Sequence, residues 1–175
     1  MTVPKRPFGK TGVNVSILSL GGVLKPSDLL VFRQAFKMGV TYWDTADSYG
    51  WGKNEKALGK YFAKFPGDRD KIFLVTKAAT SNPKKLTEKL NISLQRMNTD
   101  YIDLYYLHRI DPDVPLQDTV GAMADLVSAG KVRYLGLSEV SAASLRQANA
   151  VHPITALQTE YSIWVRDIEN EIMAV

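Results

Sequence analysis

Short runs of β-branched and aromatic residues alternate along this chain with stretches whose apolar positions recur three and four residues apart, the pattern of strands and helices laid end to end. Residues 15–20, 41–43, 72–76, 101–107, 132–137 and 154–158 read as strands, and their starts fall about 25 to 30 residues apart, the size of a strand-helix unit. Residues 6–15 read as a small hairpin turning through Lys10-Thr11-Gly12. Between the strands, Ser27 is placed to cap a helix that buries Leu30, Phe32, Ala35 and Phe36 and stops at Gly39. Asn82-Pro83 opens a second helix, with Leu86, Leu90, Leu94 and Met97 at helical spacing and turned inward. A third runs from Gln117 to Gly130 through Val120, Met123 and Val127, a fourth follows Ser141, and a last is expected over residues 167–175. Strands alternating with helices predict an α/β fold on a parallel sheet.

Six strands leave two architectures open. One is an open sheet with helices on both faces. The other is an incomplete barrel, since a closed (β/α) barrel has about eight strands. A dinucleotide-binding open sheet would carry Gly-x-Gly-x-x-Gly after its first strand. Here Gly21-Gly22 does not fit, and Gly50-Trp51-Gly52 is followed by Glu55 where the third glycine would stand.

Composition changes this picture by exclusion. At 175 residues the default is one domain, here residues 1–175, with 45% hydrophobic and 23% charged residues, as in an ordinary globular protein. The 22 basic and 18 acidic side chains give +4 spread along the chain, with no basic patch for nucleic acid. Without cysteine there is no disulfide, no thiolate nucleophile and no Cys-ligated zinc. The N-terminal residues lack the apolar core of a signal peptide and no apolar run reaches membrane-spanning length, so a cytoplasmic location and no membrane partner are expected. Asn-x-Ser triplets at Asn14 and Asn91 would matter only in a secreted protein.

The candidate chemistry sits at strand ends. Asp44 closes the second predicted strand, Tyr49 follows in its loop, Lys77 closes the third and His108 the fourth. Residues at the C-terminal ends of strands carry the chemistry of α/β barrels. An ammonium beside a phenol favours phenolate, so Lys77 is expected to draw the Tyr49 hydroxyl down from its ordinary value near 10. Asp44 would hold Lys77, and a neutral His108 would hydrogen-bond a substrate carbonyl oxygen. Taken singly each residue has a bland role: a solvated lysine, a turn-capping aspartate, a structural histidine, a half-buried tyrosine. A metal-dependent hydrolase is disfavoured, because His108 and His152 are the only histidines and they form no His-x-His pair.

The run Tyr42-Trp43-Asp44-Thr45-Ala46-Asp47-Ser48-Tyr49-Gly50 with Asn54-Glu55 and Leu58-Gly59, the run 94–105 with His108, and Val75-Thr76-Lys77 resemble the signatures of the aldo-keto reductases. The resemblance runs through the chain in order and ends after the sixth strand-helix unit. It implies an incomplete (β/α)8 TIM-type barrel of about six parallel strands behind an N-terminal β-hairpin. It also implies reduction of aldehydes or ketones to alcohols with NADP, or else NAD, and Tyr49 as proton donor tuned by Lys77 and Asp44. Asp44, Ser138, Gln158 and Tyr161 match cofactor-contacting positions, Ser138 and Gln158 for the carboxamide and Tyr161 for stacking on the nicotinamide; Glu139 departs from the commoner Asn. Trp51 and His108 are the candidate substrate contacts, and Trp43 either lines the mouth or packs in the core. Two barrel units and the segment gripping the adenosine phosphate are not matched, so the outer strands are expected as open edges that favour self-association. The alternative is a reductase-derived binding or regulatory subunit, weakly active or inactive, that needs a partner or a second copy to complete the barrel.

Overall fold

In the computed structural model, which describes residues 2–22 and 29–175, strands β3 (Ser19–Gly21), β4 (Tyr42–Asp44), β5 (Phe73–Ala78), β6 (Ile102–Leu107), β7 (Val132–Ser138) and β8 (Ile154–Gln158) form one parallel sheet. Their spatial order is their order in the chain, and the sheet curls into a partial barrel. Ahead of it, β1 (Lys5–Pro7) and β2 (Asn14–Ser16) pair antiparallel as the expected hairpin. Helices α1 (Leu29–Lys37), α2 (Lys53–Lys64), α3 (Pro83–Met97), α4 (Leu116–Ser128) and α5 (Ala142–Val151) form the outer layer.

Alternation along the strands sorts side chains onto two faces. Outward, Trp43, Leu74, Tyr105, Leu107 and Leu135 pack against Phe32 of α1, Leu58, Tyr61 and Phe62 of α2, Leu86 and Leu90 of α3, and Val120 and Met123 of α4. Inward, Phe73, Val75, Leu104 and Tyr106 meet Val15 and Phe8 of the hairpin, whose ring lies 5.1 Å from that of Phe73. Gly136 leaves room for this inner packing: a Cβ there would come within 2.4 Å of the Tyr106 ring.

Three expectations are corrected. The first predicted strand, 15–20, is two strands, because Ser16 turns the chain: its Oγ donates to Leu18 O at 2.7 Å and accepts from the backbone N–H groups of Thr41 and Tyr42. Leu30 is exposed, and the buried side of α1 is carried by Phe32 with partial burial of Ala35 and Phe36. Residues 167–175 form two short 3-10 turns, Asp167–Glu169 and Ile172–Ala174, with no residue buried that could hold a helix to the body. Helix α2 has no counterpart among the predicted helices. The cap proposed for Ser27 lies outside the described residues. Gly39 does end α1 in a left-handed conformation, and the side chains of Asn82 and Ser141 cap α3 and α5.

Candidate active site

The same alternation that puts Tyr42, Val75, Tyr106, Gly136 and Ala156 on the inner face brings Asp44, Lys77, His108, Ser138 and Gln158 to its upper rim, at the C-terminal ends of five neighbouring strands. Register does the alignment: Ala78 lies opposite Leu107, and Ser138 opposite Gln158. Backbone bonds from Thr45 N to Val75 O and from Asp47 N to Lys77 O fasten the β4–α2 loop along β5.

Lys77 is almost wholly buried, with 1% of its side chain exposed. Its Nζ donates to Asp44 Oδ1 and, at 3.0 Å, to Thr45 O. Burial pushes the Lys77 ammonium below its ordinary value, and Asp44 works in the opposite direction. The other Asp44 oxygen accepts from Gln158 Nε2 at 2.6 Å, a link between residues 114 apart in the chain. Tyr49 opens the turn after β4; its ring lies 5.1 Å from Lys77 Nζ and meets the His108 ring edge-on at 5.8 Å. Tyr49, Lys77, Asp44 and His108 are therefore brought together as the sequence suggested.

The electrostatics differ from expectation at Tyr49. Its hydroxyl is raised, first by burial and then by Asp44, with Arg109 pulling it down. Asp44 holds the ammonium that was expected to lower it, and the carboxylate is itself the second cause of the rise. The phenol thus keeps its proton at neutral pH. His108 is lowered by burial and then by the nearby Lys77 and Arg109 charges, which keeps its imidazole neutral at pH 7, as expected.

The remaining candidates sort unevenly. Ser138 Oγ accepts from Arg109 Nη1 at 3.2 Å, leaving its own hydroxyl proton to donate elsewhere. Gln158, with Nε2 on Asp44, retains Oε1 as an acceptor. Tyr161 is 55% exposed, and its hydroxyl donates to Glu169 at 2.7 Å rather than joining the quartet. Trp51, 91% exposed, stands next to the Tyr49 turn. Trp43 belongs to the outer core at 1% exposure. The Glu139 carboxylate accepts from Thr159 Oγ1 and Glu160 N, a structural tie. Arg109 was missed by sequence reasoning; its only signal is its place directly after His108. Below the rim a cleft of ≈ 300 Å³, lined among others by Phe8, Tyr42, Tyr106 and Gln158, opens between β3 and β8. Among the described residues, no cluster of His, Asp and Glu is arranged to hold a metal ion, and no helix is long and apolar enough to cross a membrane.

A curled parallel sheet under a helical layer, with an amine, a carboxylate, a phenol and an imidazole gathered at its C-terminal rim, is the architecture of a (β/α)-barrel protein. The chain belongs to the aldo/keto reductase family, which its residues 19–175 match. It is 44% identical to the probable aldo-keto reductase 1 of Glycine max, over 95% of this chain and 54% of the relative. It is 38% identical to the aldo-keto reductase yakc of Schizosaccharomyces pombe, whose name carries NADP(+), over 99% of this chain and 54% of the relative. A solved thermostable aldo-keto reductase, in complex with the inhibitor epalrestat, superposes with a TM-score of 0.88 at 33% identity, covering 97% of this chain and 66% of its own. The chain spans about half the length of the curated relatives it matches.

Proposed function

We propose that this chain carries the catalytic half of a reductase that converts small aldehydes or ketones to alcohols with NADPH, or with NADH. The observation that carries this reading is the buried Lys77 bonded to Asp44 directly beside the Tyr49 ring, with a neutral imidazole set edge-on to the same ring. The bound nicotinamide dinucleotide supplies the hydride. Ser138 and Gln158 fit its carboxamide, the first as a hydroxyl donor and the second as a carbonyl acceptor, both at the rim. Asp44 closes the cofactor set through Gln158, and Tyr161, exposed just beyond β8, would supply the stacking face.

His108 donates an N–H to the substrate oxygen and orients the carbonyl. Tyr49 gives its proton to that oxygen as negative charge develops there. The Lys77 ammonium, 5.1 Å from the Tyr49 ring, then stabilises the phenolate left behind. The raised hydroxyl of Tyr49 in the resting site suits this order of events, since the donor stays loaded until oxygen becomes basic. Trp51 borders the substrate side of the mouth.

The test is NADPH consumption followed by absorbance with a reactive aromatic aldehyde, beside Tyr49→Phe. Turnover in the parent chain that falls by about 10²- to 10⁴-fold in the variant is expected for loss of a general acid. A folded parent chain without turnover, or an unchanged Tyr49→Phe, would overturn the reading.

A further inference from the structure

Tyr49 precedes an unusual piece of backbone. Gly50, Trp51 and Gly52 follow one another in the left-handed region, at φ of 57°, 58° and 80°. For tryptophan this conformation carries strain, of the kind that persists only where the surroundings enforce it. The Trp51 side chain is 91% exposed, so its own packing does not enforce it. The turn has to be held from another side.

Arg96, near the C-terminal end of α3, lies under it. Its Nη1 donates to Asp47 O at 3.2 Å, before Tyr49, and to Glu55 Oε2 at 3.0 Å, after it. One nitrogen thereby bridges the two ends of the turn that carries the phenol. Glu55 has no exposed side-chain surface, and its second oxygen accepts from Thr76 Oγ1 at 2.9 Å, one residue before Lys77. Asp47 Oδ1 in turn accepts from Ala79 N at 3.2 Å, just beyond Lys77. The Tyr49 turn and the end of the Lys77 strand are locked to each other through Arg96 and Glu55.

Two glycines mark how close this approach is. A Cβ on Gly52 would fall 2.3 Å from the guanidinium carbon of Arg96, and a Cβ on Gly59 of α2 would fall 2.1 Å from the Arg96 carbonyl oxygen. The backbone of the turn rests on the guanidinium, and α2 is pressed onto α3 at the same residue.

We propose that the part-buried Arg96, paired with the buried Glu55, is a positioning device that fixes the left-handed turn and so sets the Tyr49 phenol against Lys77 and His108. Arg96 is a positioning residue, acting through Tyr49 on the reaction. The inference rests on Tyr49 being the proton donor. A merely structural ion pair would affect stability alone; this one controls where a reacting group sits.

The experiment compares Arg96→Met and Arg96→Lys with Arg69→Met. Arg69 makes a pair with Asp103 in which the arginine is more deeply buried than Arg96, at the opposite, N-terminal ends of β5 and β6, and serves as the control for lost stability. Each protein is labelled with carbon-13 on its tyrosine rings, the Tyr49 signal is assigned with Tyr49→Phe, and NADPH-dependent kcat and KM are measured alongside. The Tyr49 signal moves and broadens in Arg96→Met, moves less in Arg96→Lys, and stays in place in Arg69→Met. With Arg96→Met, kcat falls by about a hundredfold, the scale of a misplaced reacting group, while KM holds. Should Arg96→Met not fold, Arg96→Lys decides by the same signal, since an ammonium keeps the charge beside Glu55 but not the bridge. A Tyr49 signal that is unmoved in the Arg96 variants, or equally displaced in Arg69→Met, overturns the proposal. If the parent chain gives no turnover, the reductase reading fails by itself, and the Tyr49 signal alone upholds or overturns the positioning role.

Discussion

On the outer face of the sheet, Trp43, Leu74, Tyr105 and Leu135 disappear beneath helices. On the inner face the same strands present Tyr42, Val75 and Tyr106 to a small hairpin and then, one step further along, Asp44, Lys77 and His108. The outer layer is held by apolar area, which is non-directional and forgiving of exact partners. The inner rim holds a nearly unexposed ammonium, and its stability depends on particular atoms: Asp44 Oδ1, Thr45 O and, behind the carboxylate, Gln158 Nε2. Burying a charge in this way is tolerable only while the partner stays in place. One side of each strand supplies the free energy that the other side needs to hold reactive groups.

The largest break in this contrast is expected on the outer face. Leu90→Ala, at a fully buried site on α3, should cost about 3 to 4 kcal/mol in chemical denaturation and leave the Tyr49 signal where it is. Lys77→Met comes next, costing about 3 kcal/mol because Asp44 keeps its charge without an ammonium; adding Asp44→Asn should recover most of that loss, as it would not if the pair were a net stabiliser. A two-by-two set of denaturation curves reads the difference. Phe8→Ala, in the half-buried hairpin that covers the inner face, should cost about 2 kcal/mol, less than an outer-core aromatic, and loosen the Phe73 and Tyr42 rings.

The smallest effect is a pH dependence. His108 is lowered in the folded chain, so below about 6.5 the unfolded state takes up a proton that the folded state resists, and stability falls as pH falls through that window. The contribution is small because the ring is only partly buried. His108→Asn should flatten the slope, measured as denaturation midpoints across acidic pH.

Most strands and the quartet were legible because they depend on local signals: β-branched runs, and a functional residue where each run stops. The rest depended on partners distant in sequence. Helix α2 begins at left-handed Gly52 without a side-chain cap and carries Gly59 inside it, both against local helix preference. Those glycines answer to Arg96, some forty residues away. Likewise, the split of the first predicted strand at Ser16 requires the Thr41 and Tyr42 amides, and the upward shift of Tyr49 comes first from its burial in the folded site and then from the Asp44 carboxylate. Nothing in the run 167–175 announces that it will form two short 3-10 turns in place of a helix, with none of its apolar residues fully buried.

Strand order equal to chain order has a kinetic consequence. Each parallel strand docks on the one made just before it, so almost every sheet contact closes a loop of one strand-helix unit, and the entropy lost at each step is modest. During synthesis the layers can be added one at a time as the chain emerges. Gln158 reaching back to Asp44 is different: it spans nearly the whole sheet and forms only when β8 is in place. The contact that completes the carboxylate's surroundings therefore forms only after β8 has docked, later than the Lys77 bonds, which need β4 and β5 alone.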